Sequence, residues 1–361
     1  MNAVDLSALG DGVLRGDRGA LSRAITLIES SAPRHEELAE RLLDRLMPHT
    51  GGADRIGITG APGTGKSTLI ERLGLLLTTR GRRVAVLAVD PSSGVSGGSI
   101  LGDKTRMEGL SAEANAFVRP SPNAGSLGGV ASKTRESMLA CEAAGFDVVL
   151  IETVGVGQSE TLVADMSDVC VALMIPGAGD ELQGIKRGLL EFADLIVVNK
   201  ADGETLGAAR KAVATYRAAA RMARSADGER DDGASVRVVS CSAETGEGVE
   251  ELWSLIESLV GAGRAAGWLA ARRRGQMVRW MWSAVDDRMR SIARAAARGG
   301  GAEANWIMRA ERGEVLPPIA ARGFVDSLFV NRVGVEGERD DARAVGVGTR
   351  DAASTERGGA G

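Results

Sequence analysis

Six short runs in this sequence are almost wholly apolar: RIGIT (55–59), VAVLAV (84–89), DVVLI (147–151), VCVALMI (169–175), LIVVN (195–199) and VRVVS (236–240). A strand with one wet face alternates apolar and polar residues, whereas a strand covered on both faces does not need to. Helical stretches fall between the runs, from Ser67 to about Arg80 and near 132–144, 181–192 and 204–223. Strands that alternate with helices predict an α/β, doubly wound and mostly parallel sheet, with ligands bound outside the carboxyl ends of its strands.

The flanks read differently. Residues 11–48 carry apolar side chains three or four apart, and Pro33 divides them into two expected helices. Beyond about residue 262 the chain is helical and holds Trp268, Trp280 and Trp282, followed by a helix, a turn at Pro317-Pro318 and another helix. From about 333 large apolar residues are scarce, which predicts disorder. The expected division is thus 1–50 as an N-terminal helical extension, 51–262 as the central domain, 263–332 as a C-terminal helical arm and 333–361 as a tail.

Net charge is −4 and no basic block tracks a nucleic-acid backbone, so nucleic acid is not an expected partner. No run of about 18 apolar residues would span a membrane, and the N-terminus lacks a signal-peptide pattern. Cys141, Cys170 and Cys241 are sparse and odd in number, which fits a reducing cytoplasm. Neither they nor His35 and His49 have metal-ligand spacing.

The segment GITGAPGTGKSTLI (57–70) supplies the chemistry. Gly60 through Ser67 match G-x-x-x-x-G-K-[ST] between an expected strand and an expected helix, the setting of a phosphate-cradling loop. Gly60, Pro62, Gly63, Thr64, Gly65, Lys66, Ser67 and Thr68 form the expected phosphate-holding set. Glycines let backbone N–H groups turn onto phosphate oxygens, and the helix that follows aims its positive end at them. Lys66 would neutralise the β- and γ-phosphates, and the Ser67 hydroxyl would ligate Mg²⁺.

Asp90, closing the VAVLAV run, faces the same end of the sheet and could hold a metal-bound water or orient the attacking one; a turn cap before Pro91 is the simpler alternative. The loop GGSILGDKTRM (97–107) carries Asp103, Lys104 and Arg106 and could order around γ-phosphate, although a solvated loop would look alike. VVLIETVGVGQSE (148–160) delivers Glu152 to the metal end and Gly155 to the γ-phosphate. Val156 stands where a water-placing glutamine is found in Ras, and Gln158 is a weak substitute, so slow hydrolysis with a partner's help is expected.

The base is read from NKAD, Asn199-Lys200-Ala201-Asp202. A carboxylate at Asp202 can accept from guanine N1–H and the 2-amino group, and adenine offers neither donor there. The Lys200 stem can lie against the base, and in SCSAETGEG (240–248) the Ala243 N–H would meet guanine O6 with Ser242 bracing the turn. GTP is therefore the expected nucleotide and GDP the product.

Together with PGAGDELQGIKRG (176–188), these segments resemble the MeaB/ArgK-type P-loop GTPases, which include the methylmalonyl-CoA mutase-associated GTPase chaperones. The resemblance covers roughly residues 40–260. It implies Asp90, Asp103 and Glu152 around Mg²⁺ and the γ-phosphate, with Ser67, and a further switch from Gly177 to Lys186 containing Asp180 and Gln183. Lys186 could stabilise transition-state charge. It also implies a C-terminal arm that makes a homodimer, and an adenosylcobalamin-dependent acyl-CoA mutase as client, methylmalonyl-CoA mutase first. The cobalamin is expected to stay on the mutase or its loading enzyme, since no Asp-x-His-x-x-Gly motif occurs. The rival readings are a kinase or ATPase linked to basic amino-acid transport, a nickel-insertion GTPase, and a scaffold that only binds GTP.

Overall fold

The computed structural model describes residues 5–30, 32–89, 107–120, 127–153, 159–177, 192–227 and 236–329. Seven strands form one sheet: β1 (Asp54–Thr59), β2 (Val84–Val89), β3 (Ala116–Arg119), β4 (Val148–Thr153), β5 (Val169–Met174), β6 (Leu195–Val198) and β7 (Arg237–Ser240). Their order is β3-β2-β4-β1-β5-β6-β7, and every pairing is parallel.

The unbroken apolar runs follow from burial on both faces. Val84 and Val86 enter one core with Ile56, Leu150 and Val171, while Ala85, Leu87 and Val89 enter another on the opposite face. The first face is covered by α4 (Lys66–Thr79), α5 (Glu108–Ala112) and α9 (Val249–Ala266). The second is covered by α1 (Leu6–Leu14), α2 (Arg18–Glu29), α3 (Pro33–Leu46) and α6 (Leu127–Ala143). Beside them α8 (Leu206–Asp227) packs Ala209, Val213 and Tyr216 on Ile196, Val198 and Val238. The remaining helices are α7 (Ser159–Ala164), α10 (Trp268–Arg298), α11 (Ala302–Glu311) and α12 (317–329).

Three local expectations are corrected. The N-terminal stretch forms three helices, because Gly16 at φ 75° and Asp17 break it once more before Pro33. The Asp17 carboxylate accepts the Ala20 N–H at 2.7 Å, a side-chain cap for α2. β3 was not expected; it is a four-residue edge strand. Pro317 and Pro318 open α12 rather than making the turn before it, as suits residues without a backbone N–H in a first helical turn. The helix expected at 181–192 and the tail after 333 lie outside the described residues, apart from Phe192.

Aspartates at the amino ends of the strands pin neighbouring strands together. Asp168 Oδ2 accepts Arg55 N–H at 2.9 Å, Asp194 Oδ2 accepts Cys170 N–H at 2.8 Å, and Asp147 Oδ2 accepts Arg83 N–H at 2.7 Å. Each bond satisfies a donor at a strand start and holds register there. The first turns of α10 meet these acids: Arg273 reaches Asp168 at 2.6 Å and Arg272 reaches Asp194 at 2.9 Å. Arg264 of α9 pairs with Asp54, whose carboxyl is nevertheless pushed up by burial.

β1 lies between β4 and β5. The chain leaves β1 towards β2 on one side, and later crosses from β4 to β5 on the other. The connections diverge there, which opens the crevice for a ligand at the carboxyl ends of β1, β4 and β5.

Two units divide the chain, Met1–Trp282 and Ser283–Gly361. The second contains the end of α10 together with α11 and α12. In it, the Trp306 ring lies so close to Gly323 that an added Cβ would meet it at 2.5 Å, and the Arg309 guanidinium lies 4.7 Å from the Trp306 ring centre. Leu316, Ile319 and Phe329 of this unit are more than half exposed, at 68%, 55% and 56%. Among the described residues no helix is long and apolar enough to cross a membrane.

Candidate functional site at the carboxyl ends of the strands

The loop between β1 and α4 needs its glycines. A Cβ on Gly60 would meet the Leu173 carbonyl oxygen at 2.3 Å, and one on Gly65 would meet Asn199 Nδ2 at 2.5 Å, with φ at 90°. Gly65 is the N-cap of α4 and supplies no side-chain hydrogen bond to the first-turn N–H groups. Such groups are the donors an anion uses at a helix start. Lys66 is buried and folds back over the loop, with Nζ donating to the Gly60 and Ala61 carbonyls at 2.7 and 3.1 Å. Thr64 is buried beneath the loop and its hydroxyl donates to Ala61 O at 2.9 Å, while Pro62, Gly63 and Thr68 are exposed to differing degrees.

Ser67 and Glu152 meet here although 85 residues separate them. The Ser67 hydroxyl donates to Glu152 Oε1 at 2.7 Å. In-register pairing of Glu152 with Ile58 of β1 and Ala88 of β2 places it one residue before the end of its strand. Beside it, the buried Thr153 and Thr59 hydroxyls are bonded at 3.2 Å. With its proton committed to the carboxylate, the Ser67 oxygen keeps its lone pairs for another ligand.

NKAD and SCSA form the other half. Asn199 is buried and donates through Nδ2 to Thr64 O at 2.8 Å, while its Oδ1 accepts Ala243 N–H at 2.9 Å and the Cys241 thiol at 3.7 Å. One amide thus ties the phosphate loop to the turn after β7. The Ser242 hydroxyl donates to Asp202 Oδ2 and also accepts Thr245 N–H at 3.1 Å. Asp202 is therefore held by one oxygen, and its carboxylate retains further acceptor capacity. Lys200 is exposed and has φ 57°, the one positive φ outside glycine among the described residues. The Thr205 hydroxyl donates to the Lys200 carbonyl and to Asp202 O, which supports this sparsely allowed backbone. Burial pushes the Cys241 thiol up to about 12, so it stays protonated here.

The sequence-expected residues Lys66, Ser67, Glu152, Asn199, Asp202, Ser242 and Ala243 therefore converge on one end of the sheet. The Ala243 N–H, expected to face a base, is engaged by Asn199, so Asn199 is a brace as well as a candidate ligand-contacting residue. Asp90, Asp103, Gly155, Gln158, Asp180, Gln183 and Lys186 lie outside the described residues. Sequence reasoning missed Thr205 and Arg72, whose partners are backbone carbonyls and leave no motif. Among the described residues no group of three or more His, Cys, Asp or Glu is placed to hold a metal.

Known proteins share this plan. The chain is 58% identical over 294 residues to a Caulobacter vibrioides protein named as a GTPase, covering 81% of this chain and 89% of that one. It is 46% identical over 286 residues to the Mus musculus "Methylmalonic aciduria type A homolog, mitochondrial", covering 76% and 68%. The crystal structure of a "LAO/AO transport system kinase" is 36% identical with a TM-score of 0.70, covering 91% of this chain and 99% of that one. Residues 21–298 match the family described as methylmalonyl Co-A mutase-associated GTPase MeaB, and the chain belongs to that family of P-loop GTPases.

Proposed function

We propose that this chain hydrolyses GTP to GDP and phosphate, and that the cycle gates adenosylcobalamin loading and protects or reactivates an acyl-CoA mutase, methylmalonyl-CoA mutase first. The observation that carries the nucleotide reading is the Asn199 amide, bonded at once to the phosphate loop and to the turn beside Asp202. It supports one continuous seat for a nucleotide: phosphates at Gly60–Thr68, and the base beside Lys200 and Asp202 at the turn whose Ala243 N–H Asn199 braces. Asp202 accepts from guanine N1–H and the 2-amino group, and an adenine in the same seat would leave the oxygen not held by Ser242 unpaired.

Mg²⁺ fits the oxygen donors of Ser67 and Glu152, and hard cations of this kind take phosphate and water oxygens for their other positions. When bound, it would neutralise charge on the β- and γ-phosphates. Asp90 and Asp103 are proposed to join this set, and Gly155, Gln158 and Lys186 to surround the γ-phosphate. Among these residues Lys66 holds phosphate charge, and Ser67 and Glu152 set the metal end.

Family membership and the mouse relative's name support the mutase as client. A protein that binds the mutase better in one nucleotide state must, by linkage, have its nucleotide equilibrium shifted by the mutase. A second copy of the chain is the proposed occupant of the apolar side chains exposed on the second unit.

The related structure is named as a kinase, which offers the competing reading. Phosphate release from GTP and ATP by the pure protein separates the two. GTP turnover that is slow, needs Mg²⁺ and has no ATP counterpart is expected; ATP turnover with phosphate appearing on a protein acceptor would contradict the proposal.

A further inference from the structure

β2 is apolar at every position, whereas β1 and β4 each end on a fully buried hydroxyl, Thr59 and Thr153. Valine fills a pleated, buried position as well as threonine does, and a buried hydroxyl costs free energy unless it is bonded. Here the Thr153 hydroxyl donates to the Thr59 hydroxyl oxygen at 3.2 Å. The bond sits where the two strands part. The register of β1 with β4 ends with Ile58 beside Glu152. Thr59 pairs with Ala172 of β5, and Thr153 with Val89 of β2. The hydroxyl pair thus ties β1 to β4 one residue past their last backbone pairing, just before Gly60 opens the phosphate loop and just after Glu152. Alternation puts Glu152 on the face of Leu150, towards α4, and Thr153 on the face of Ile151, towards α6. The tie therefore lies on the face opposite the Ser67–Glu152 contact.

We propose that Thr59 and Thr153 are positioning residues for the divalent cation: their hydroxyl bond fixes the separation of the phosphate loop from Glu152. This rests on the Mg²⁺ reading above and deepens it. Ser67 is carried by the loop that β1 feeds and Glu152 by β4, so the spacing of the two strand ends sets the spacing of the two oxygens. The 2.7 Å bond from Ser67 to Glu152 is the spacing that the tie preserves. With the tie cut, β4 is free to draw towards β2, and β1 towards β5, the partners to which Thr153 and Thr59 are paired. Mg²⁺ demands near-ideal ligand geometry and responds to such a shift. A nucleotide held without the metal, by the phosphate loop, Lys66 and Asp202, draws on no group of β4.

The test uses the full chain with Thr153→Val, Thr59→Val, the two together, and Thr153→Ser. Affinity for a GTP analogue with an imido β–γ bridge is measured in EDTA and at stepped Mg²⁺. The free analogue complexes Mg²⁺ equally in every titration, so differences among variants belong to the protein. Each single valine leaves one buried hydroxyl unpaired and should lower the melting temperature. The double variant replaces both partners by apolar groups and is expected to melt close to the unaltered protein. All three valine variants should need about three- to tenfold more Mg²⁺ for half-maximal effect, with affinity in EDTA unchanged, and Thr153→Ser should restore the unaltered response. A Mg²⁺ demand that recovers in the double variant together with stability would make the pair a stabilising contact only. Unaltered demand in every variant would mean that the strand ends hold themselves, and equal weakening in EDTA would mean that the phosphate loop itself is disturbed; each of the three overturns the assignment. An unaltered protein whose affinity for the analogue ignores Mg²⁺ would overturn the Mg²⁺ reading, and the assignment with it, whatever the variants do.

Discussion

Asp202→Asn is expected to exchange the preferred base from guanine to xanthine. The carboxylate has one oxygen occupied by the Ser242 hydroxyl. The other is the acceptor for guanine N1–H, with the 2-amino group beside it. Asparagine retains one acceptor and replaces the second oxygen with an NH₂ group. That group opposes the guanine 2-amino donor and matches the 2-keto oxygen of xanthine. The Ser242 hydroxyl can accept as readily as donate, so the turn can adapt. A base-reading contact of this type separates analogues steeply when a buried polar group would otherwise stay unpaired. GTP should lose on the order of a hundredfold in affinity, about 3 kcal/mol, while XTP gains. Competition titration of GTP, XTP and ATP checks this; a variant that still prefers GTP would remove Asp202 from base recognition.

Lys66→Ala is expected to remove tight binding of every nucleotide, whatever its base. The ammonium is buried, and it already serves the Gly60 and Ala61 carbonyls at 2.7 and 3.1 Å. Its charge sits at the lip of a loop whose other donors are neutral N–H groups. Charge-assisted bonds to phosphate are roughly twice as strong as neutral ones. GTP, GDP and XTP should all weaken by about two orders of magnitude or more. The two substitutions thus predict different patterns: Asp202→Asn reorders the bases, and Lys66→Ala lowers affinity without reordering them. Unchanged GTP affinity in Lys66→Ala would contradict the phosphate-seat assignment, and a thermal melt without nucleotide shows whether the loop itself survives the change.

The central sheet was legible because burial on both faces leaves little freedom in composition. Val84 to Val89 faces two cores, so every position is apolar and the run announces itself. β3 has no such signature: only Ala116 and Phe117 are buried, and four residues at a sheet edge are too few for a period. The aspartates at the strand starts escaped notice for another reason. Asp168 and Asp194 look like ordinary loop residues and Asp147 merely opens the DVVLI run, and their shared task emerges only when adjacent strands come into register.

The site divides in the same way. Side chains that meet one another fell within motifs, as Ser67 at the start of α4 and Glu152 near the end of β4 did. What a side chain does to backbone is not written in the sequence, even where the residue itself falls in a motif. Asn199 bonds to Thr64 O and Ala243 N–H, 135 and 44 residues away, and a backbone atom has no identity in a sequence. Arg72 and Thr205 are invisible for that reason. The proline pair at 317–318 was misread because Pro suits both a turn and the first turn of a helix.

If guanine nucleotide turnover in this chain answers to a mutase, phosphate release from GTP must depend on that mutase. The decisive assay follows release by the pure protein, with and without methylmalonyl-CoA mutase from the same host, and with ATP as control. Slow GTP turnover is expected, rising at least about tenfold when the mutase is added, in the manner of a GTPase completed by its partner, with no response to ATP. GTP turnover that is already fast alone, or that is indifferent to the mutase at saturating concentration, would contradict the proposed coupling.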